Sequence, residues 1–460
     1  MTHRHHARRP RRLTARTAAL ALALAGVGAA ASVTAAPAGA VSKVMLSTPK
    51  PLGGWGVTGL DVTTSPVAGW KSNVTALAEW HDRIYVGGMF TTVARNGVAQ
   101  AAQPYLAAFD RATGAWIPTF RPRLDGGVWD LAVTPKGKLV VGGYFSTVNG
   151  ATHRALVALN PANGAVDTTW KASGAVTTGR AGVRTLHVMG GWVYVGGNLD
   201  SVRGGTGTDV GTVRGKNLFK LKATDGRPSA AFHPRMGTAV WQVFASPAGD
   251  RVYAAGRFGT VNGVKKEMLA VLRPSNGALV PGLRNDVPTY DCRPACSTVP
   301  YSEAVYETKN RAWVVTTPIE HGLHQLTRST LARKYGHYTA AAPGALKSGG
   351  GDFQAIAETN GVVYAACHCW NQDYSGAYRT RKPGRPPVSW RRQSRITGIG
   401  AYDATTFAKI DTFQPTAYGQ YGDGAWQLLV DSTGCLWAGG DITHSAGGVW
   451  LGGFAKFCRT

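Results

Sequence analysis

Acidic side chains are scarce in this chain. Only 25 Asp and Glu stand against 50 Lys and Arg, and charged residues make up just 16% of the 460. No Asp-rich calcium loop is present, and no two acids stand out as a catalytic pair. After the N-terminal forty residues no apolar run approaches the ~20 residues of a membrane-spanning helix. Cysteine is limited to six. What is plentiful is glycine, at 60 residues, with 44% of the chain hydrophobic. Low charge and many glycines suit an all-β protein full of tight turns.

The N-terminus reads as an export signal over residues 1–40. His3 to Arg16 carries six arginines and no acid, an apolar Ala/Leu/Val/Gly run follows Thr17, and Ala38-Gly39-Ala40 offers a small-residue cleavage site. Arg11-Arg12 permits a twin-arginine route as well as the general one. No Cys follows the cleavage site, which argues against a lipid anchor. The expectation is a secreted, extracellular, monomeric protein of residues 41–460. Removing the six signal arginines lowers the formal charge from +25 to +19. Such a surplus favours anionic partners.

One stretch keeps returning. Val128–Gly150 reads V-W-D-L-A-V-T-P-K-G-K-L-V-V-G-G-Y-F-S-T-V-N-G, and A-L-V-A-L-N-P-A-N-G-A-V-D-T-T-W continues to Trp170. Short alternating runs are punctuated by Pro135–Gly137, Asn149–Gly150 and Asn163–Gly164, which predicts four strands of one antiparallel sheet. Copies anchor at Gly87, Gly142, Gly196, Ala255, Val315, Ala366 and Gly439, so neighbouring anchors lie 51 to 73 residues apart. A lone four-stranded sheet cannot cover its apolar faces, so the units must stack. The predicted fold is a seven-bladed β-propeller of four-stranded blades. An N-terminal strand around Gly56–Thr64 is expected to complete the last blade and remove its edge.

The pattern Gly142–Gly150 (G-G-x-F-x-x-V-N-G), Asn160–Gly164 (N-x-x-N-G) and Asp167–Trp170 (D-x-x-W) resembles the delta-60-type repeat of bacterial secreted β-propellers. Repeat two matches throughout, repeats one, three and four well, and repeats five to seven in part. The resemblance implies the fold and secretion; it brings no catalytic motif. The S-x-D-x-G-x-T-W box of sialidase-like propellers is missing.

Twelve or thirteen residues before the anchors lie Thr75, Asp130, Arg184, Gln242, Glu303, Gln354 and Gln427. All are polar among apolar and aromatic neighbours, so alternation predicts a polar ring facing the channel. It would either hydrogen-bond a ligand or satisfy itself around a water-filled pore. Asp125, Asp352 and Asp423 precede three of these strands; beside glycine they suit tight turns as well as ligands. Insertions at 95–104, 203–216 and 370–395 suggest one binding face. Within the last of these, Arg381, Arg385, Trp390, Arg391 and Arg392 could clamp a carboxylate or phosphate and stack on a sugar.

Cys435 and Cys458 fall in neighbouring strands and should pair, and Cys292 could close on Cys296. Cys367 and Cys369 need an intervening turn, or else bridge to that second pair. A Cys/His metal site with His321, His324 and His337 is the sharp alternative. No metal or cofactor is otherwise called for. The sequence reading is therefore a binding or scaffold module for an anionic or hydroxyl-rich polymer, cell-envelope carbohydrate foremost and nucleic acid not expected. A polysaccharide hydrolase or lyase using Asp130, Glu303 or Asp352 is the alternative, and a protein-interaction platform the third.

Overall fold

A computed structural model describes residues 42–63, 71–283, 301–308, 311–316, 322–340, 353–369, 372–376 and 391–460. The chain divides after Ala40, and everything described here belongs to the unit from Val41 to Thr460. Among the described residues all regular structure is β, arranged in small antiparallel sheets.

Each repeat contributes an inner strand, a second strand and a third. In repeat two these are Val128–Val133, Leu139–Gly143 and Leu156–Leu159. The inner strands of the others are Val74–Trp80, Gly182–Met189, Val240–Ala245, Val305–Thr308, Phe353–Thr359 and Ala425–Val430. Each inner strand packs on the next, and the last packs on the first. The paired glycines at the end of strand two make this possible. A Cβ on Gly87 would sit 2.6 Å from Cγ1 of Val128, and one on Gly439 would sit 2.6 Å from Cγ1 of Val74. Real side chains do not approach so closely, so glycine lets the next inner strand seat its opening valine there.

Where a fourth strand was expected, five sheets carry a single bridge instead, such as Leu159 to Val166 in repeat two. In repeat two the D-x-x-W turn explains the shortening. Asp167 accepts the Thr169 amide at 2.8 Å and turns the chain at once, and Trp170 is then buried. The equivalent Phe120, Phe232 and Phe413 meet Tyr85, Tyr194 and Tyr364 of strand two edge-on.

In repeats one, three, four and seven a side chain latches the repeat to the turn after strand three of the following one. Tyr85 donates to Pro161 O at 2.7 Å, Lys220 Nζ to Pro274 O at 2.7 Å and Arg251 Nη1 to Arg328 O at 2.7 Å. Lys456 Nζ closes the series by donating to Arg111 O at 2.9 Å in repeat one.

The insertion after strand two folds back as a ribbon. Asn149 and Gly150 turn it with φ of 51° and 81°, and Asn96-Gly97 and Asn262-Gly263 do likewise. Two successive positive φ values are what a tight hairpin with the right twist demands, and Asn-Gly supplies them.

The expected N-terminal closure is corrected. Trp55–Thr58 pairs with the repeat-one ribbon at Thr92–Arg95, and meets the last repeat only where the Val57 amide donates to Gly452 O, ahead of the sheet's third strand. An earlier piece reaches that sheet: the Leu46 amide donates to Cys458 O and the Lys50 amide to Lys456 O. The ribbon offered Trp55–Thr58 a free edge sooner along the chain. Repeat five also departs from the pattern, forming a six-stranded sheet from Val305–Thr308 to Arg391–Arg395. Two of its strands, Gln372–Gly376 and Arg391–Arg395, belong to the insertion expected in repeat six.

Candidate functional site

The seven ring residues line one cavity of about 360 Å³. Six of them reach it through a β-bulge near the start of the inner strand, and Glu303 from just before its strand. In repeats one, three and six the bulged residue is the ring residue itself (Thr75, Arg184, Gln354). In repeats two, four and seven it is a tryptophan, Trp129, Trp241 or Trp426, and the polar residue comes next. A bulge sets two residues against one, so both side chains turn inward. All three tryptophans line the cavity. Strict alternation had kept them out of the ring. Spacing carries no signal of this, because the polar residue lies twelve or thirteen residues before its anchor in both groups and only the paired register differs.

Three of the seven, with Thr185 beside them, staple neighbouring inner strands together. Thr75 Oγ1 donates to Val128 O at 2.6 Å. Asp130 accepts the amides of Leu131 at 2.8 Å and Leu186 at 2.6 Å. The Val243 amide donates to Thr185 Oγ1 at 3.1 Å, and the Val305 amide to Gln242 Oε1. Burial pushes the Asp130 carboxyl up to about 7 against the opposing pull of those two amides. His187, on the same wall, is pushed down to about 4 by burial.

The remainder faces the space. Arg184 Nη2 meets Glu303 Oε2 at 3.4 Å across repeats three and five. Its guanidinium lies 4.1 Å from the Trp241 ring centre and 5.0 Å from that of Trp129. Such stacking holds a cation in place while leaving its N–H edge able to donate. Gln354 bonds to His368, whose ring stands against Trp426. Gln427 completes the lining. Trp129 also packs with Met89 and Tyr144, so one side of the mouth is apolar.

Residues 135–169, the second repeat, match the family model of a domain of unknown function, DUF5122, described as a beta-propeller. This is a β-propeller repeat. No curated protein matches the chain. Among solved structures, the chain is similar to one described as the extracellular domain of a hybrid two component system, BT4673, from B. thetaiotaomicron. Identity is 13% and the TM-score 0.44, covering 88% of this chain and 39% of that one. It is also similar to the computationally designed Ika8 protein, with 12% identity, a TM-score of 0.44, and 86% and 98% covered.

The other candidates fall at different places in the propeller. Asp125 is a turn residue: its Oδ1 accepts the amides of Ser146 at 2.7 Å and Thr147 at 2.9 Å. Asp423 is pushed up by burial, partly offset by nearby His368. Asp352, Arg381, Arg385 and Trp390 lie outside the described residues, as do Cys292, Cys296 and His321. The backbones of Arg391 and Arg392 pair with Ser375 and Tyr374 as an added strand. Cys435 pairs with Cys458 as expected. Cys367 pairs directly with Cys369; a bend at His368 supplies the intervening turn. His324 and His337 are buried in the fifth sheet, where His337 Nε2 meets Phe407 O at 2.7 Å. Among the described residues no group of three His, Cys, Asp or Glu could hold a metal. No helix among them is long and apolar enough to cross a membrane.

Proposed function

We propose that the chain is an exported seven-bladed propeller that binds an anionic or hydroxyl-rich polymer, cell-envelope carbohydrate foremost, on its ribbon-bearing face. The observation that carries this reading is the central cavity. Three tryptophans supply apolar wall, with Arg184 lying over the rings of Trp241 and Trp129, while Arg184, Glu303, Gln354 and Gln427 offer polar edges beside them. Sugars present the same mixture of apolar ring face and hydroxyl rim. The ring residues stand at the ribbon end of the cavity, because each ribbon springs from the end of strand two, which pairs with the start of the inner strand. The formal charge of +19 beyond the signal would draw an acidic chain toward that face.

Co-sedimentation of residues 41–460 with purified cell walls and insoluble polysaccharides tests the reading, with salt titrated and released sugar assayed. Salt-sensitive binding that Trp241→Ala weakens by about tenfold or more supports it. Binding to no polymer leaves the protein-platform reading.

A hydrolase or lyase is the second reading, and the Asp130 carboxyl is the observation that favours it. A group poised at about 7 can give or take a proton near neutrality. Both of its oxygens are already engaged with backbone amides, which is the stronger argument for a staple. Sugar release that Asp130→Asn abolishes would reverse the ranking.

A further inference from the structure

A second cavity, of about 320 Å³, lies on the ribbon face between repeats two and three. Its walls are the repeat-two ribbon, with Ser146, Thr147, Thr152 and Arg154, and the segment entering repeat three, with Val176 and Arg180. None of these belongs to the central ring. Two cations therefore face one concave space that also carries hydroxyls.

The acids nearby are committed elsewhere. Asp61, whose carboxyl feels the charge of Arg180, accepts from the Thr63 amide and hydroxyl and from the Tyr105 hydroxyl. Asp125 accepts the Ser146 and Thr147 amides from behind the ribbon. Asp200 takes Lys216 and both polar groups of Thr177, and those hydrogen bonds hold it down at about 2. Arg180 is held in place, because its Nη2 donates to Tyr144 O and a side chain on Gly126 would collide with it. One Nη of Arg180 is so used, which leaves the rest of its fork for the cavity. Arg154 is exposed, and among the described residues no acid pairs with its guanidinium. Tyr144 feels the charge of both Arg180 and Arg184, so the rim cavity and the central cavity are electrostatic neighbours.

We infer that this rim cavity is a subsite for an acidic sugar, with Arg154 and Arg180 gripping a carboxylate or phosphate and Thr152 and Ser146 serving the hydroxyls. Its volume is at the lower end of ligand pockets, which suits one sugar unit. Forked guanidinium groups recognise either oxyanion, so the chemistry is shared between a uronate and a sugar phosphate. The inference deepens the polymer-binding reading by naming the charged unit, and it stands on different residues.

The test is calorimetric titration of the protein with glucuronate, glucose 6-phosphate and neutral glucose at low salt. At least one anionic sugar should bind, with Kd on the order of millimolar for a single exposed subsite, and glucose should bind at least about tenfold more weakly. Whichever anion binds names the oxyanion. Arg154→Gln and Arg180→Gln should each weaken that binding about tenfold. Arg154→Gln should also leave the melting temperature unchanged, so that its loss is not one of folding. The inference is overturned if glucose binds as well as the anions, if neither anion binds, or if both variants bind like the parent. Those failures would leave polymer binding through Trp241 untouched, and a polymer that ignores the Trp241→Ala change would leave the rim subsite untouched.

Discussion

Repeats one to four and the region of repeats five and six handle the same problem differently. Both insert chain after strand two. In repeats one, two and four an Asn-Gly pair with two positive φ values closes the insert on itself, and the main sheet stays three strands wide. In repeat six the strands of the insert, Gln372–Gly376 and Arg391–Arg395, attach instead to the fifth sheet and widen it to six. Repeat three makes a separate ribbon without that pair, Ser201–Gly204 against Gly211–Arg214, so Asn-Gly is one way of closing an insertion on itself and not a requirement. The anchors differ in the same way. Glycine stands there in repeats one to three, and valine in repeat five, where Val315 is fully buried.

The largest effect should come from exchanging these anchors. Gly142→Val would drive a side chain into Val183 and Leu186 of the next inner strand, and should cost about 3 kcal/mol of unfolding free energy. Val315→Ala removes packed methyl groups and should cost about 2 kcal/mol. Urea unfolding midpoints measure both. A Gly142→Val protein as stable as its parent would break the idea that regular repeats seat against one another through missing side chains.

That contrast also explains what the sequence made legible. Gly-Gly, Asn-Gly and the D-x-x-W turn act over a few residues, so the repeats and their order could be read directly. The central cavity was half legible. Its polar members follow from spacing, yet Trp129, Trp241 and Trp426 enter through a bulge, which breaks the alternation on which the spacing argument rests. The closure was misplaced for a different reason. Trp55–Thr58 and the segment around Leu46–Lys50 both precede the first repeat, and nothing local says which of two distant edges each will meet. The rim cavity was not legible at all, because Arg154 and Arg180 meet only when the repeat-two ribbon lies against the segment entering repeat three.

A smaller effect separates a titrating ring residue from one that does not titrate. Asp130 of repeat two holds its proton up to about 7 when folded, whereas the unfolded carboxyl loses it near 3.8. Between those values the folded state carries a proton that the unfolded state has given up. Stability contributed by this group is therefore complete below about pH 4, declines as pH rises, and levels off above about pH 7. The decline should amount to about 2 kcal/mol between pH 5 and 8, below the ideal ~1.4 kcal/mol per pH unit because water can enter the cavity. Asp130→Asn should flatten the profile of melting temperature against pH over this window. Gln354→Asn in repeat six should leave its slope as it was. A parent protein already flat from pH 5 to 8 would show that the two amides, not burial, govern the carboxyl.

The smallest effect addresses the turn itself. Asn149 has φ of 51°, accepts the Arg123 amide at 2.8 Å and donates from Nδ2 to Gly164 O at 3.0 Å. It therefore closes the ribbon and ties it to the turn after strand three. Asn149→Ala loses both bonds and strains the backbone, for about 1–2 kcal/mol. Asn149→Gly relieves the strain but not the bonds, and should recover roughly half of that. Amide exchange at His153, which donates to Ser146 O across the ribbon, should quicken in the alanine variant while the strand Leu139–Gly143 stays protected, because the ribbon and the main sheet are separate hydrogen-bonded units. If exchange quickened equally in both, the ribbon would be part of the sheet's own cooperative unit. The distinction between the two ways of placing an insertion would then lie in geometry alone, with no consequence for how the repeats hold together.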